Sequence, residues 1–89
     1  MRVDWHPEAR VELREILDYI SERNMPAADD LFFVIESATS SLPQHPYLYR
    51  PGRVAGTREI VVHPNYLVVY RVTENVEILA VLHARQTYP

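Results

Sequence analysis

Residues 56–89 read GTREIVVHPNYLVVYRVTENVEILAVLHARQTYP, and the fold turns on this stretch. Three runs rich in β-branched and aromatic residues, 57–62, 66–73 and 76–84, are separated only by His63-Pro64-Asn65 and Glu74-Asn75. Parallel pairing needs a much longer crossover, so connections this short predict an antiparallel meander. Side chains alternate between the two faces of a strand. One face then carries Val68, Tyr70 and Val72 with Ile78, Ala80 and Leu82, apolar enough to be a core. The other carries Leu67, Val69, Leu79 and Val81, with Arg71, His83 and Arg85 toward one end. A solvated face of an antiparallel sheet is normally polar, whereas this one is apolar for much of its length. The pattern predicts a bare face that another polypeptide covers.

The chain upstream of residue 56 reads as cover for the first face. Residues 2–5 form a short strand candidate. Pro7 ends it and suits the first turn of a helix, with Glu8 near the positive end of the helix dipole. His6 falls at the N-cap, which it fills poorly. Ala9, Leu13, Ile16, Leu17 and Ile20 recur at three- and four-residue spacing, with Glu12, Glu15, Asp18 and Glu22 mostly outward, so an amphipathic helix ends near Arg23. After Asn24-Met25, a second helix starts around Pro26 with a buried stripe of Ala28, Leu31, Phe32, Ile35, Ala38 and Leu42. So short a break makes the two helices antiparallel neighbours. Phe33 and Val34 lie off the stripe; the hairpin partner or the sheet edge is expected to cover them, a partner protein being the alternative.

The loop PQHPYLYRPGRVAG, residues 43–56, holds three prolines, which stiffen it. Tyr47 and Tyr49 are expected to pin it down and to hold Arg50 and Arg53 beside the sheet. The element order is strand, helix, helix and three strands: an α+β two-layer sandwich, β-α-α-β-β-β, forming one domain over residues 1–89. The sequence leaves open where the first strand pairs.

Composition narrows the function. With no cysteine there is neither a disulfide framework nor a thiolate metal site. No charged leader or bilayer-length apolar run stands out, so a soluble cytoplasmic protein is expected. The formal charge is −3, and it is uneven. Residues 1–49 hold nine acids and four arginines, a balance of −5, while residues 50–89 hold three acids and five arginines, a balance of +2. All nine cations are arginine, which favours bidentate pairing with carboxylate or phosphate. Strong nonspecific nucleic-acid binding needs a larger basic surface.

Of four histidines, none forms a close helical pair and three precede proline, so no metal or cofactor is expected. Cleaving RNA at a 2′-hydroxyl needs a base, an acid and a cation for the charged phosphorus. Arg58, Glu59, His63, Arg71, His83, Arg85 and Tyr88 lie in the meander or its tail, and alternation places Glu59, Arg71, His83 and Arg85 on the open side. Equally, Arg71 can pair with Glu59 or Glu77 across strands while His83 merely ends one. As a binding module, the apolar open face rimmed by arginines suits an apolar, acidic segment that orders on contact.

The segments LPQHPYLYRPGRVAGTREIVVHPNYLVVYRV (42–72) and VEILAVLHARQTYP (76–89) resemble the toxin component of the RelE/ParE superfamily of type II toxin-antitoxin systems, in its ParE-like branch. The opening VDWHPEARVELREILDYISERN (3–24) is similar to that branch's first strand and helix, so the resemblance covers nearly the whole chain. It implies a β-α-α-β-β-β sandwich and a cognate ParD-like antitoxin whose C-terminal segment wraps and silences the toxin. ParE-like members are regarded as poisons of DNA gyrase that block replication; RelE-like members cut messenger RNA in the ribosomal A site. Under the first reading Arg58, Arg71, His83, Arg85 and Tyr88 form the target surface, and Leu67, Val69, Leu79, Val81 and Phe33 take the antitoxin. Under the second, Arg58, His83, Arg85 and Tyr88 carry catalysis. The lack of lysine and the low positive charge favour the ParE-like, non-enzymatic role over docking into ribosomal RNA. The chain departs from its relatives in being acidic and in placing Met25 between Asn24 and Pro26.

Overall fold

The computed structural model describes residues 1–88. In chain order it has β1 (Val3–Trp5), α1 (Pro7–Ser21), α2 (Met25–Ser40), β2 (Arg50–Pro51), β3 (Arg58–His63), β4 (Tyr66–Val72) and β5 (Val76–His83). The strands form one sheet ordered β1-β5-β4-β3-β2. β3, β4 and β5 are the antiparallel meander read from the short connections. β1 pairs with β5 in parallel, Val3 opposite Val76 and Trp5 opposite Ile78, because the intervening helical hairpin supplies a long crossover. β2 has no counterpart in the sequence reading. It extends the β3 edge by two residues, and Gly52 N–H donates to Thr57 O at 2.8 Å. Pro51 is tolerated there because alternate pairs across an antiparallel ladder exchange no hydrogen bonds.

α1 opens at Pro7 without a side-chain cap from His6, whose backbone N–H instead donates to Ile78 O at 2.9 Å. α2 is capped by Asn24, whose Oδ1 accepts from Ala27 N–H at 3.1 Å. Met25 between cap and proline leaves that cap intact.

The main core lies between helices and sheet, with Leu13, Leu31, Ile35, Val68, Tyr70 and Ile78 at its centre. Its outline departs from simple alternation in β5. Val69 faces Ala80 and Tyr70 faces Ile78, so Leu79 is an extra residue, a β-bulge. One extra residue reverses the facing of everything beyond it. Val81 therefore joins Ile78 in the main core, while Ala80 and Leu82 turn to the opposite side, the reverse of the expected assignment. The N–H of Val81 is taken by Glu12 Oε1 at 3.0 Å, which turns that carboxylate inward from the solvent side.

The expected bare face is filled by the chain itself. Leu67, Val69, Ala80 and Leu82 form a second buried cluster, with Leu79, Ala84 and Tyr88 packed against it. Leu67 is 2% exposed and Val69 0%. Beyond β5 the chain turns, and the Arg53 guanidinium donates to Ala84 O and Gln86 O, each at 3.2 Å. A tail of a few residues thus closes a small apolar patch that alternation alone leaves open.

On α2 the buried positions are Ala28, Leu31, Ile35 and Thr39. Phe32, placed in the stripe by spacing, is exposed with Phe33 and Val34. α2 packs on α1 and the outer strand β3, whereas α1 lies over β5. Each residue turns a helix by about 100°, so Phe32 already points away from the layer that buries Leu31. No described helix is long and apolar enough to cross a membrane.

Candidate functional site

The loop and its two anchors set where the arginines stand. Glu59 sits between Arg50 and Val69 in the ladder and is 4% exposed. Its Oε1 accepts from Arg50 Nη2 at 3.2 Å and its Oε2 from the Arg53 backbone N–H at 2.9 Å, with Arg53 Nε 3.7 Å away. A buried carboxylate has to be paired in this way, and the pairing locks both arginines beside the sheet as expected.

Arg58 is opposite Tyr70 and so lies on the helix side. Its Nη1 donates to Tyr49 O at 2.7 Å and Tyr47 O at 3.3 Å, and the guanidinium stands 5.1 Å from the Tyr47 ring centroid. Tyr70 hydroxyl donates to Pro46 O at 2.8 Å, and the Tyr49 ring meets Tyr70 edge-on at 6.4 Å. Burial pushes the Tyr70 phenol up from its ordinary value despite the nearby Arg58, so it stays a neutral donor. Tyr49 therefore pins the loop. Tyr47, expected to do the same, is 64% exposed, and Leu48 beside it is 65% exposed. The loop keeps its shape through backbone carbonyls, with the exposed Tyr47 ring against the Arg58 guanidinium. A cleft of about 250 Å³ is lined by Tyr47, Pro51, Gly56, Thr57, Arg58 and Val72.

Arg71 is committed to Glu77, one of the two partners foreseen: Nε donates to Oε2 and Nη2 to Oε1, both at 3.1 Å. His6 Nε2 stands 2.9 Å from Oε1, and Thr73 hydroxyl donates to Oε2 at 3.0 Å. Arg71 above all, then His6 and Thr73, holds the Glu77 carboxyl down from 4.5 to about 2, and Glu77 raises Arg71 in turn.

His83 faces Tyr66, edge-on at 5.5 Å, and His63 lies 5.7 Å from the same ring. The bulge puts His83 on the helix side, away from Glu59 and Arg71, where alternation had grouped all three. Its Nδ1 accepts the Arg85 backbone N–H at 3.2 Å, so the neutral ring carries its proton on Nε2. Arg85 has no ion-pair partner among the described residues. Tyr88 packs on the second cluster, and Pro89, the end of the expected target tail, lies outside the described residues.

His83 and Arg85 are neighbours, but Arg58 and Arg71 lie away from them. Arg58 lies opposite Tyr70 and His83 opposite Tyr66, four positions apart along β4, which is about 13 Å. Arg71 is on the other face, and Arg85 and Tyr88 follow the end of β5. Of the five expected antitoxin contacts, Leu67, Val69 and Val81 are buried and Leu79 is half-buried; Phe33 is 59% exposed. Among the described residues, no three His, Cys, Asp or Glu side chains cluster so as to hold a metal ion. The Tyr47–Leu48 tip escaped the sequence reading, although the prolines around it signalled a rigid loop.

The family profile described as ParE toxin of type II toxin-antitoxin system, parDE, matches residues 3–88. The chain belongs to the ParE toxin family. Y4kP of Sinorhizobium fredii is 38% identical over 89 residues, spanning 99% of this chain and 93% of that protein. Toxin RelE2 of Caulobacter vibrioides is 34% identical over 86 residues, 93% of this chain and 94% of its own length. Among solved structures, a chain of the chromosomal ParDE TA system from P. aeruginosa superposes with a TM-score of 0.77 at 22% identity, covering 93% of this chain and 95% of its own. This ParE-family protein is thus a type II toxin of the ParE/RelE superfamily, as its motifs imply, on the shared scaffold of two helices and an open mixed sheet.

Proposed function

We propose that this ParE-family toxin acts in the cytoplasm without catalysis of its own, by binding DNA gyrase and blocking replication, and that a cognate antitoxin silences it. The observation that carries the reading is the separation of Arg58 from His83. General acid-base cleavage needs its groups within hydrogen-bond reach of one scissile bond, and Arg58 and His83 are held about 13 Å apart along the strands. The Nδ1 of His83 is also occupied by a backbone N–H, so the neutral ring offers a donor where a base would need a lone pair. The net charge of −3 adds support, since docking into ribosomal RNA favours a strongly basic surface.

The antitoxin surface in this reading is the α2 ridge of Phe32, Phe33 and Val34, an apolar surface still open once the sheet has closed on its own tail. Asp29, Asp30 and Glu36 flank it on the same helix, which carries no cation, so the silencing segment is apolar with basic residues at its rim. Expression of the chain alone in a bacterium tests the reading by pulse-labelling. DNA synthesis should stop first, with filamentation, and the purified chain should inhibit supercoiling by gyrase. Early translation arrest with cut messages would instead establish the ribonuclease alternative.

A further inference from the structure

Among the described residues, five of the nine arginines have a carboxylate beside them: Arg2, Arg23, Arg50, Arg53 and Arg71. Among those without one, Arg10, Arg14 and Arg85 are exposed to water, which solvates their charge, whereas Arg58 is half-buried. A cation partly withdrawn from water and not neutralised is costly. Its Nη1 holds the Tyr47 and Tyr49 carbonyls, and among the described residues Nε and Nη2 have no hydrogen-bond partner. Arg58 lines the cleft with Thr57 and Gly56, whose positive φ of 83° and empty surroundings leave the wall open.

Tyr47 lines this cleft, and Leu48 is its exposed neighbour in the chain. Their backbone is held by Arg58 and by the Tyr70 bond to Pro46, so the exposed pair is presented in a fixed shape. Rigid presentation removes an ordering cost on association, and a tyrosine of this kind is a common anchor at protein interfaces. Residues 47–59 hold three arginines against one glutamate, which favours an acidic partner yet falls short of the basic track that nucleic acid needs.

We propose that the Arg58 cleft seats a carboxylate side chain of a protein partner, whose neighbouring apolar residues pack on Tyr47 and Leu48. The inference deepens the target-binding reading and rests on it. The surface is chemically opposite to the acidic α2 ridge, so target and antitoxin approach different parts of the molecule.

The test is an NMR titration of the isotope-labelled full chain with N-acetyl-glutamyl-leucine amide, its glutaminyl counterpart and a ribodinucleotide. The acidic dipeptide should give saturable shifts at Gly56, Thr57 and Arg58, with the neutral one binding roughly tenfold more weakly, the effect of losing a charged hydrogen bond. R58Q should abolish the shifts. The Y47A/L48A variant, which alters only exposed side chains, should keep the native spectrum elsewhere and bind about threefold more weakly or worse. No saturable shift, equal binding of both dipeptides, or tighter binding of the dinucleotide would each overturn the proposal. Growth is read separately: a chain that binds the acidic dipeptide but leaves DNA synthesis running supports the cleft and refutes the gyrase reading.

Discussion

The backbone N–H of Arg53 donates to the buried Oε2 of Glu59 at 2.9 Å, and the guanidinium of the same arginine donates to the carbonyls of Ala84 and Gln86. One carboxylate on β3 thereby controls both the loop ahead of that strand and the turn that closes the second cluster.

Glu59→Gln should therefore loosen two places together. The arginines can be resolvated, so the expected cost is that of charged hydrogen bonds, about 1.5–3 kcal/mol. A lower urea midpoint with faster exchange of the Gln86 amide would be observed; a midpoint shift with an unchanged tail would show that Arg53 holds the turn without Glu59.

Acid should weaken the fold through Glu77. Its carboxyl titrates at about 2 in the folded chain against an ordinary 4.5, so below 4.5 the unfolded state binds more protons. The contribution is complete above that value and is lost as pH falls toward 2. Urea midpoints measured across this range should decline for the native chain, and Glu77→Gln should flatten that part of the decline.

Leu67 and Phe33 should behave in opposite ways. Leu67→Ala opens a cavity in the second cluster and should cost about 2–5 kcal/mol of stability. Phe33→Ala removes an exposed ring and should stay within about 0.5 kcal/mol of the native stability. The same change should weaken the antitoxin complex by about 1 kcal/mol or more, read by calorimetry. An unaltered affinity would move the antitoxin off the α2 ridge.

Tyr70→Phe should keep the core and release the loop. The ring stays buried while the bond to Pro46 O is lost, an expected cost of about 0.5–1.5 kcal/mol. Hydrogen exchange over residues 46–49 should rise with little change in β4, and the acidic dipeptide should bind the Arg58 cleft less tightly.

Several features of the molecule were legible in its residues. Pro7, the Asn24 region and the helical spacing of Ala9, Leu13 and Ile20 located the hairpin, and two short connectors made the meander antiparallel. Cross-strand placement left Arg71 a choice of Glu59 or Glu77, and Glu77 is its partner. The candidate site was less legible. The family resemblance named Arg58 and His83 together, and only the ladder shows them at opposite ends of β4. The family resemblance named a function but could not arrange these side chains.

By itself the sequence determined every element but β2, their order and the antiparallel sense of the meander, because helical spacing, proline positions and connector length act over a few residues. Only the tertiary structure decided which side chains meet solvent. An extra residue at Leu79 reverses the facing of Val81, Leu82 and His83, and its position depends on how β5 pairs with β4. Likewise Arg53 closes the tail over Leu67 and Val69 from about thirty residues away, whereas α2, set over the outer strand, leaves Phe33 uncovered. Such contacts are set by chain segments distant in sequence, which local patterns cannot register.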